Sequence, residues 1–315
     1  MRILVVGAGS VGGYLGGRLA AAGRDVTFLV RPGRAAQLRK DGLRIVSPHG
    51  DLTLAPKLVL APEIDGPYDL VLLAVKSYGL DGAIEDCAPA VGPQTMVLPI
   101  LNGMAHLDTL VARFGDAAVL GGSTRLSTDL DSAGRILQLG DFNDLFFGER
   151  SGSITPRIEA LRDTLNDVGF DAILSPDVIG FMWQKWTMLA ASGAITCLLR
   201  GTVGDIVAAP YGRDTAVAII DECAAIAGAA GHPMSEAAMK FTYEYLTRTG
   251  SPFTASMYRD LQKGAAVEAG QILGDLLAHG SAHGVDTPLV RAAYVQLAVY
   301  QANRPKRVDA SSMHN

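Results

Sequence analysis

A chain of 315 residues, 49 % hydrophobic and 19 % charged, has the composition of a compact globular protein and too much length for one typical core, so it fits two domains. A formal net charge of −5 excludes any global attraction to nucleic acid or to an anionic membrane surface. No uninterrupted apolar stretch reaches the roughly 18 residues needed to span a bilayer, and the short apolar run after Arg2 is not a secretory signal. Three cysteines, Cys87, Cys197 and Cys223, stand far apart without a C-x-x-C pair, as expected of reduced thiols in a cytoplasmic protein.

In chain order, Ile3 to Val6 is a continuous apolar run rich in β-branching and reads as a buried strand. Gly7-Ala8-Gly9-Ser10-Val11-Gly12 follows at once, and a helical pattern opens at Tyr14. Strand, glycine turn and helix together make a dinucleotide-binding signature. Gly7 permits the tight turn, Gly9 lets a pyrophosphate approach the backbone, and Gly12 lets the helix pack closely on the strand. The free N–H groups and positive end of that helix then hold the anion. The alternative is a glycine-rich turn with no ligand. Asp25 to Val30 forms the next strand. Beyond such a strand an NAD enzyme usually carries an acid and an NADP enzyme tends to carry arginine. The residue here is Arg31, with Arg34 close behind, while Asp25 lies at the wrong end, so NADP(H) is the expected cofactor. Two solvated arginines at a helix start are the other reading.

Residues 32–40 predict a short helix, and 43–55 predict a hairpin at the sheet edge, turning at Pro48-His49-Gly50. Asp69 to Val75 is a central parallel strand ending in Lys76, and Thr95 to Ile100 is another ending in Leu101-Asn102-Gly103. Ligands of open parallel sheets bind beyond the carboxyl ends of the strands, so the glycine turn, Lys76 and Asn102 are expected to aim at one crevice. The alternation of 117–130, 135–139 and 145–148 predicts antiparallel strands added to that sheet. A helix over 155–168 and a strand over 171–174 complete the first domain, residues 1–175.

Past residue 175 strand patterns nearly vanish, which predicts an all-helical domain over 176–315. Ser175 or Asp177 could cap its first helix, with Pro176 in a first-turn position. That helix runs to Leu199 and carries one isolated cation, Lys185, between Trp183 and Trp186. Lys185 either snorkels, its stem covering the indoles, or sits in a cleft where it works as an acid or base. Helical patterns continue over 215–230, 235–246, 255–278 and 288–301, and the polar tail from Asn303 is expected to fray. Asp221 and Glu222 read as a solvated face. His279 and His283 have metal-ligand spacing, but Gly280 and Gly284 interrupt the helix and no third ligand is near, so no metal is expected.

At this point the residues resemble a known family, the 2-dehydropantoate 2-reductases or ketopantoate reductases, over roughly residues 1 to 302. The matching pieces are the Gly7–Gly12 turn, Arg31, Ala74-Val75-Lys76-Ser77-Tyr78, Asn102-Gly103-Met104, Trp183-Gln184-Lys185, Ala255-Ser256-Met257, Glu268-Ala269-Gly270-Gln271-Ile272-Leu273-Gly274 and Gly284-Val285-Asp286-Thr287-Pro288. The resemblance implies an α/β fold, with a Rossmann-type sheet domain followed by an all-α domain. It implies NADPH-dependent reduction of 2-dehydropantoate to (R)-pantoate, a step toward pantothenate and coenzyme A. By motif match Lys185 is the proton donor and Glu268 binds the substrate hydroxyl. Ser256 and Asn102 hold the carboxylate end or orient the bound groups, and Lys76 lies beside cofactor and substrate. Hydride addition builds negative charge on oxygen, and a preorganised cation stabilises that charge more in the transition state than in the substrate.

One departure stands out. The family helix often carries asparagines one and two turns after the lysine; here those positions are Leu189 and Gly193, with Ser192 nearby. A less polar 2-oxo acid is therefore the alternative substrate, and a catalytically silent NADP-binding sensor is the alternative outside catalysis. The partner is a small-molecule 2-oxo acid, with neither nucleic acid nor membrane involved, and the apolar helical half could support a homodimer.

Overall fold

The computed structural model describes residues 1–304, and the chain divides into two compact units, Met1–Met182 and the part from Trp183 onward. In the first unit the strands are β1 (Arg2–Val6), β2 (Asp25–Leu29), β3 (Leu43–Val46), β4 (Leu52–Leu54), β5 (Lys57–Val59), β6 (Leu70–Leu73), β7 (Met96–Pro99), β8 (Gly121–Leu130), β9 (Ile136–Gly148) and β10 (Asp171–Leu174). Its helices are α1 (Ser10–Ala21), α2 (Pro32–Asp41), α3 (Leu80–Cys87), α4 (Ala105–Phe114) and α5 (Pro156–Leu165), and α6 (Val178–Leu199) begins there. The first sheet is wholly parallel, in the order β5-β2-β1-β6-β7, with Ile3 level with Val26 on one side and Leu70 on the other. Its central strands are buried on both faces, which is why they read as unbroken apolar runs.

The alternating strands do not extend that sheet as expected. They form a second one, ordered β10-β9-β3-β4, with β8 paired to β9, and the 43–55 hairpin belongs there. The segments expected at 135–139 and 145–148 are one continuous strand, β9, with a register shift opposite Leu126 and Thr128. There the Gln138 amide donates to the carbonyls of Gly140 and Phe142. The physical reason for two sheets lies in α1. A Cβ on Gly16 would fall 2.6 Å from the Phe28 ring of the first sheet. On Gly13 and Gly17 it would fall 2.6 Å from Ile136 and 2.8 Å from Leu43 of the second. Glycines at these positions let the helix lie close against both sheets, between them. Alternation tells which face of a strand is buried, not which sheet the strand joins.

The second unit is helical: most of α6, then α7 (Val203–Ala208), α8 (Gly212–Ala229), α9 (Glu236–Leu246), α10 (Ser256–Gln262), α11 (Asp275–Ala282) and α12 (Pro288–Asn303). Asp177 caps α6, its Oδ1 accepting from the Gly180 N–H at 3.1 Å. The helix expected over 255–278 is broken after Gln262, where Gly264 turns at φ +66°, and resumes through a π-helical turn, Gly270–Gly274. Helix α8 packs against α7, α9, α11 and α12. Glu222 is not merely a solvated residue: its two carboxylate oxygens accept from the N–H groups of Leu289 (3.0 Å) and Val290 (2.8 Å), capping α12, while Asp221 accepts from the Tyr243 hydroxyl. Among the described residues no helix is long and apolar enough to cross a membrane. The fraying expected beyond Asn303 lies mostly outside the described residues.

Candidate active site

The first unit brings its predicted residues to one edge of the parallel sheet. The glycine turn follows β1, Arg31 follows β2, Lys76 follows β6 and Asn102 follows β7, and these four strands are neighbours. Within the turn the three glycines differ in what demands them. Gly7 has φ +96°, and a Cβ there would sit 2.9 Å from the Ala74 carbonyl oxygen. On Gly12 it would sit 2.1 Å from the Gly7 oxygen. Both are required by the protein's own packing. A Cβ on Gly9 would meet nothing within 4 Å, so that glycine faces open space. Ala8 is buried and Ser10 and Val11 are half-buried beside it. Gly9 is the N-cap of α1, no side chain caps the helix, and no acid occupies its first turn. Its leading N–H groups and positive dipole end could therefore hold a phosphate anion.

The two arginines after β2 play different parts, which the sequence alone did not separate. Arg31 is exposed at the start of α2, and among the described residues no carboxylate pairs with it. Arg34 turns inward. Its Nε donates to the Ala8 carbonyl at 3.0 Å, and its terminal nitrogens donate to Gln37 Oε1 (2.7 Å) and to the Gly134 carbonyl (3.4 Å). Burial lowers its pKa. Arg34 ties the glycine turn to the β8–β9 turn a hundred residues away, a link no local pattern announces. Lys76 is exposed, and Asn102 is half-buried ahead of Gly103, whose φ is +79°.

In the second unit Lys185 is half-buried on α6 between Trp183 and Trp186, whose ring centroids lie 4.9 Å apart. Burial pulls its pKa down to about 8, while the charge of Glu268 holds it up. The ammonium is thus desolvated rather than extended into bulk water. Glu268 is buried just ahead of the π-helical turn. That turn is pinned to α6 by Trp186, whose indole N–H donates to the Ile272 carbonyl at 2.9 Å, and the Ile272 N–H donates to the Glu268 carbonyl at 2.9 Å. The indole bond thus ties α6 to the segment that carries Glu268. Ser256 is exposed at the first position of α10.

The rest of this face of α6 is apolar. Thr187, Ser192 and Thr196 turn their hydroxyls back onto the carbonyls of Trp183, Leu189 and Ser192. Leu189 is half-buried, and a Cβ on Gly193 would lie 2.5 Å from the Met257 methyl. The two histidines do not converge. His279 packs edge-on against Trp183 and Trp186, and His283 Nδ1 donates to the His279 carbonyl at 2.8 Å. Among the described residues no group of three or more His, Cys, Asp or Glu could hold a metal ion. All three cysteines are free and buried, and burial pushes the thiols of Cys87 and Cys197 up to about 12.

Comparison with known proteins joins these features. The family model described as ketopantoate reductase PanE/ApbA matches residues 3–152, and that of its C-terminal domain matches 177–301. The uncharacterized oxidoreductase YkpB of Bacillus subtilis (strain 168) is 36 % identical over 304 residues, covering 96 % of this chain and all of that protein. The crystal structure of 2-dehydropantoate 2-reductase from Geobacter metallireducens GS-15 has a TM-score of 0.86 at 29 % identity and covers 95 % of this chain and 99 % of its own. D-mandelate dehydrogenase, solved with NADH and anilino(oxo)acetate, has a TM-score of 0.84 at 20 % identity over 96 % of this chain and 99 % of its own, a likeness of fold alone. With both of its halves matched, this chain belongs to the ketopantoate reductase PanE/ApbA family of oxidoreductases.

Proposed function

We propose that this protein reduces a 2-oxo acid to the (R)-2-hydroxy acid with NADPH, the reaction type in which 2-dehydropantoate becomes (R)-pantoate. Enzymes of the family use a nicotinamide cofactor, which when bound supplies the hydride to carbon 2. The observation that carries the reading is Lys185, a desolvated cation with a pKa near 8 under the influence of a buried carboxylate. Lys185 Nζ gives a proton to the carbonyl oxygen as negative charge builds there, and the neutral amine regains it from solvent. Glu268 keeps Lys185 protonated near neutral pH and accepts a hydrogen bond from the substrate hydroxyl. Ser256 and Asn102 orient the carboxylate end, and Lys76 adds a positive charge beside cofactor and substrate. The Gly7–Gly12 turn holds the pyrophosphate, Gly9 leaving room for it, and Arg31 pairs with the 2′-phosphate that distinguishes NADPH from NADH.

The test is NADPH oxidation, followed by absorbance, with a panel of 2-oxo acids that includes 2-dehydropantoate. Lys185→Ala is expected to lose about 10²- to 10⁴-fold in turnover. Cofactor binding without turnover of any 2-oxo acid would make the protein a sensor, and a variant as fast as wild type would remove Lys185 from its role. Arg31→Ala is expected to raise KM for NADPH and leave that for NADH unchanged. A wild-type preference for NADH would overturn the assignment of Arg31.

A further inference from the structure

We infer that Trp186 is a positioning residue of the reductase site: its indole N–H, donated to the Ile272 carbonyl, holds the segment that carries Glu268 in place against Lys185. The inference rests on the reading of Lys185 as the proton donor and of Glu268 as its charge partner.

The two members of the pair stand on unequal supports. Lys185 belongs to α6, a continuous helix of 22 residues, and Trp186 is its next neighbour there. Glu268 ends a stretch, 265–268, that is neither helix nor strand and that follows the turn at Gly264. The place of such a stretch comes from the bonds that tie it to its surroundings. On one side α12 holds it: the Tyr300 hydroxyl donates to the Ala265 carbonyl at 2.8 Å, and Gln301 Oε1 accepts from the Val267 N–H at 3.2 Å. On the other side the Trp186 indole holds the Ile272 carbonyl at 2.9 Å, and the Ile272 N–H donates to the Glu268 carbonyl at 2.9 Å. The bond from α6 therefore comes from the residue next to the lysine itself. The indole is 1 % exposed, so water does not compete for that bond. The ring is also braced, by Trp183 with centroids 4.9 Å apart and by His279 edge-on at 5.8 Å. The titratable groups facing the two indoles are His232, stacked on Trp183, and His279, with Asp275 one turn before it on α11. The charge that acts on Lys185 is that of Glu268. Coulomb attraction falls with separation and is strong where water is excluded, so a small displacement of Glu268 weakens its hold on the ammonium.

The experiment replaces Trp186 in the full chain by benzothienylalanine, which keeps the fused ring and lacks only the N–H, so the burial of Lys185 is preserved and the tie alone is lost. Two quantities are read. Without cofactor, carbon NMR of lysine labelled at the ε-carbon follows the titration of Lys185, assigned by the signal that Lys185→Arg removes. With NADPH and a 2-oxo acid, kcat and kcat/KM are followed against pH. The replacement is expected to move the Lys185 midpoint to lower pH, to move the alkaline fall of kcat/KM with it, and to lower kcat by about 10- to 100-fold, the cost of a misplaced catalytic group. Made in a Glu268→Gln protein, it is expected to move the midpoint no further, because the group it places is gone. Tyr300→Phe, which removes a bond on the α12 side, is expected to lower the melting temperature and leave the midpoint where it is. A wild-type midpoint in the replaced protein overturns the inference. So does an equal shift in the Glu268→Gln background, or a shift from Tyr300→Phe as large as that from Trp186. Should the replaced protein not fold, Trp186→Phe takes its place, and the comparison with and without Glu268→Gln decides. Absence of turnover with every 2-oxo acid instead overturns the reductase reading, and the catalytic purpose of the indole bond with it, whatever the midpoint does.

Discussion

Replacing Lys185 by methionine keeps most of the apolar stem and removes the charge, and two opposite consequences follow. The side chain's pKa falls from its ordinary 10.5 to about 8 in the folded protein, chiefly through burial. At about 1.4 kcal/mol per pH unit, holding the ammonium charged there costs about 3 kcal/mol of folding stability at neutral pH. Between about 8 and 10.5 the unfolded chain binds more protons than the folded one, so stability rises with pH across that window. Below about 8 the full cost is present. Lys185→Met is therefore expected to be more stable than wild type at pH 7, by up to about 3 kcal/mol, with the gap closing toward pH 10. The same variant is expected to lose about 10²- to 10⁴-fold in reductase turnover. Paired denaturant titrations at the two pH values measure the first effect. For the second, kcat/KM of the wild type is expected to be flat up to about pH 8 and to fall about tenfold per pH unit above it. Lys185→Arg should carry that limb out of range, since a guanidinium does not deprotonate there. Glu268→Gln should move it to lower pH, because the carboxylate is what opposes the burial. A wild-type rate independent of pH between 7 and 10, or a Lys185→Met protein less stable than wild type at pH 7, refutes the reasoning.

Other sites give independent checks. Gly9→Ala adds a methyl that meets no protein atom, so melting should shift little while NADPH affinity drops; Gly12→Ala forces a Cβ to 2.1 Å from the Gly7 oxygen and should cost about 1–3 kcal/mol or more in denaturation. Arg34→Ala deprives the Ala8 and Gly134 carbonyls of their donor and should lose about 2 kcal/mol by the same measurement, with Arg34→Lys recovering only part because one ammonium cannot reproduce the fork. Arg157, hydrogen-bonded to Glu149 through Nε at 2.8 Å and a terminal nitrogen at 2.6 Å, holds that carboxyl below its ordinary range, and Thr155 adds to the effect. A depressed carboxylate contributes stability above its ordinary pKa of 4.5 and loses it as pH falls through the lower folded value. Thermal melting of the wild type should therefore drop more steeply on acidification below about pH 5 than that of Glu149→Gln, and parallel curves would contradict this.

What could be read from the residues was what neighbours in the chain decide. The run Ile3–Val6, the glycine turn and the helix after it are set by contacts a few residues apart, so strand, turn and helix follow from composition and spacing. The parallel strands announced themselves because burial on both faces demands unbroken apolar runs. The ordered motifs carried the family in the same way. Three things waited for the folded chain. Alternation over 117–148 showed strands, but only the glycine-lined flanks of α1 decided that a second sheet lies on the helix's other side. Arg31 and Arg34 looked alike until the Ala8 and Gly134 carbonyls drew one of them inward. Lys185 could equally have been a snorkelling surface residue. Burial brings its pKa down to about 8 against the opposing charge of Glu268, more than eighty residues along the chain, and desolvation is a property of what surrounds an atom, which sequence spacing does not contain.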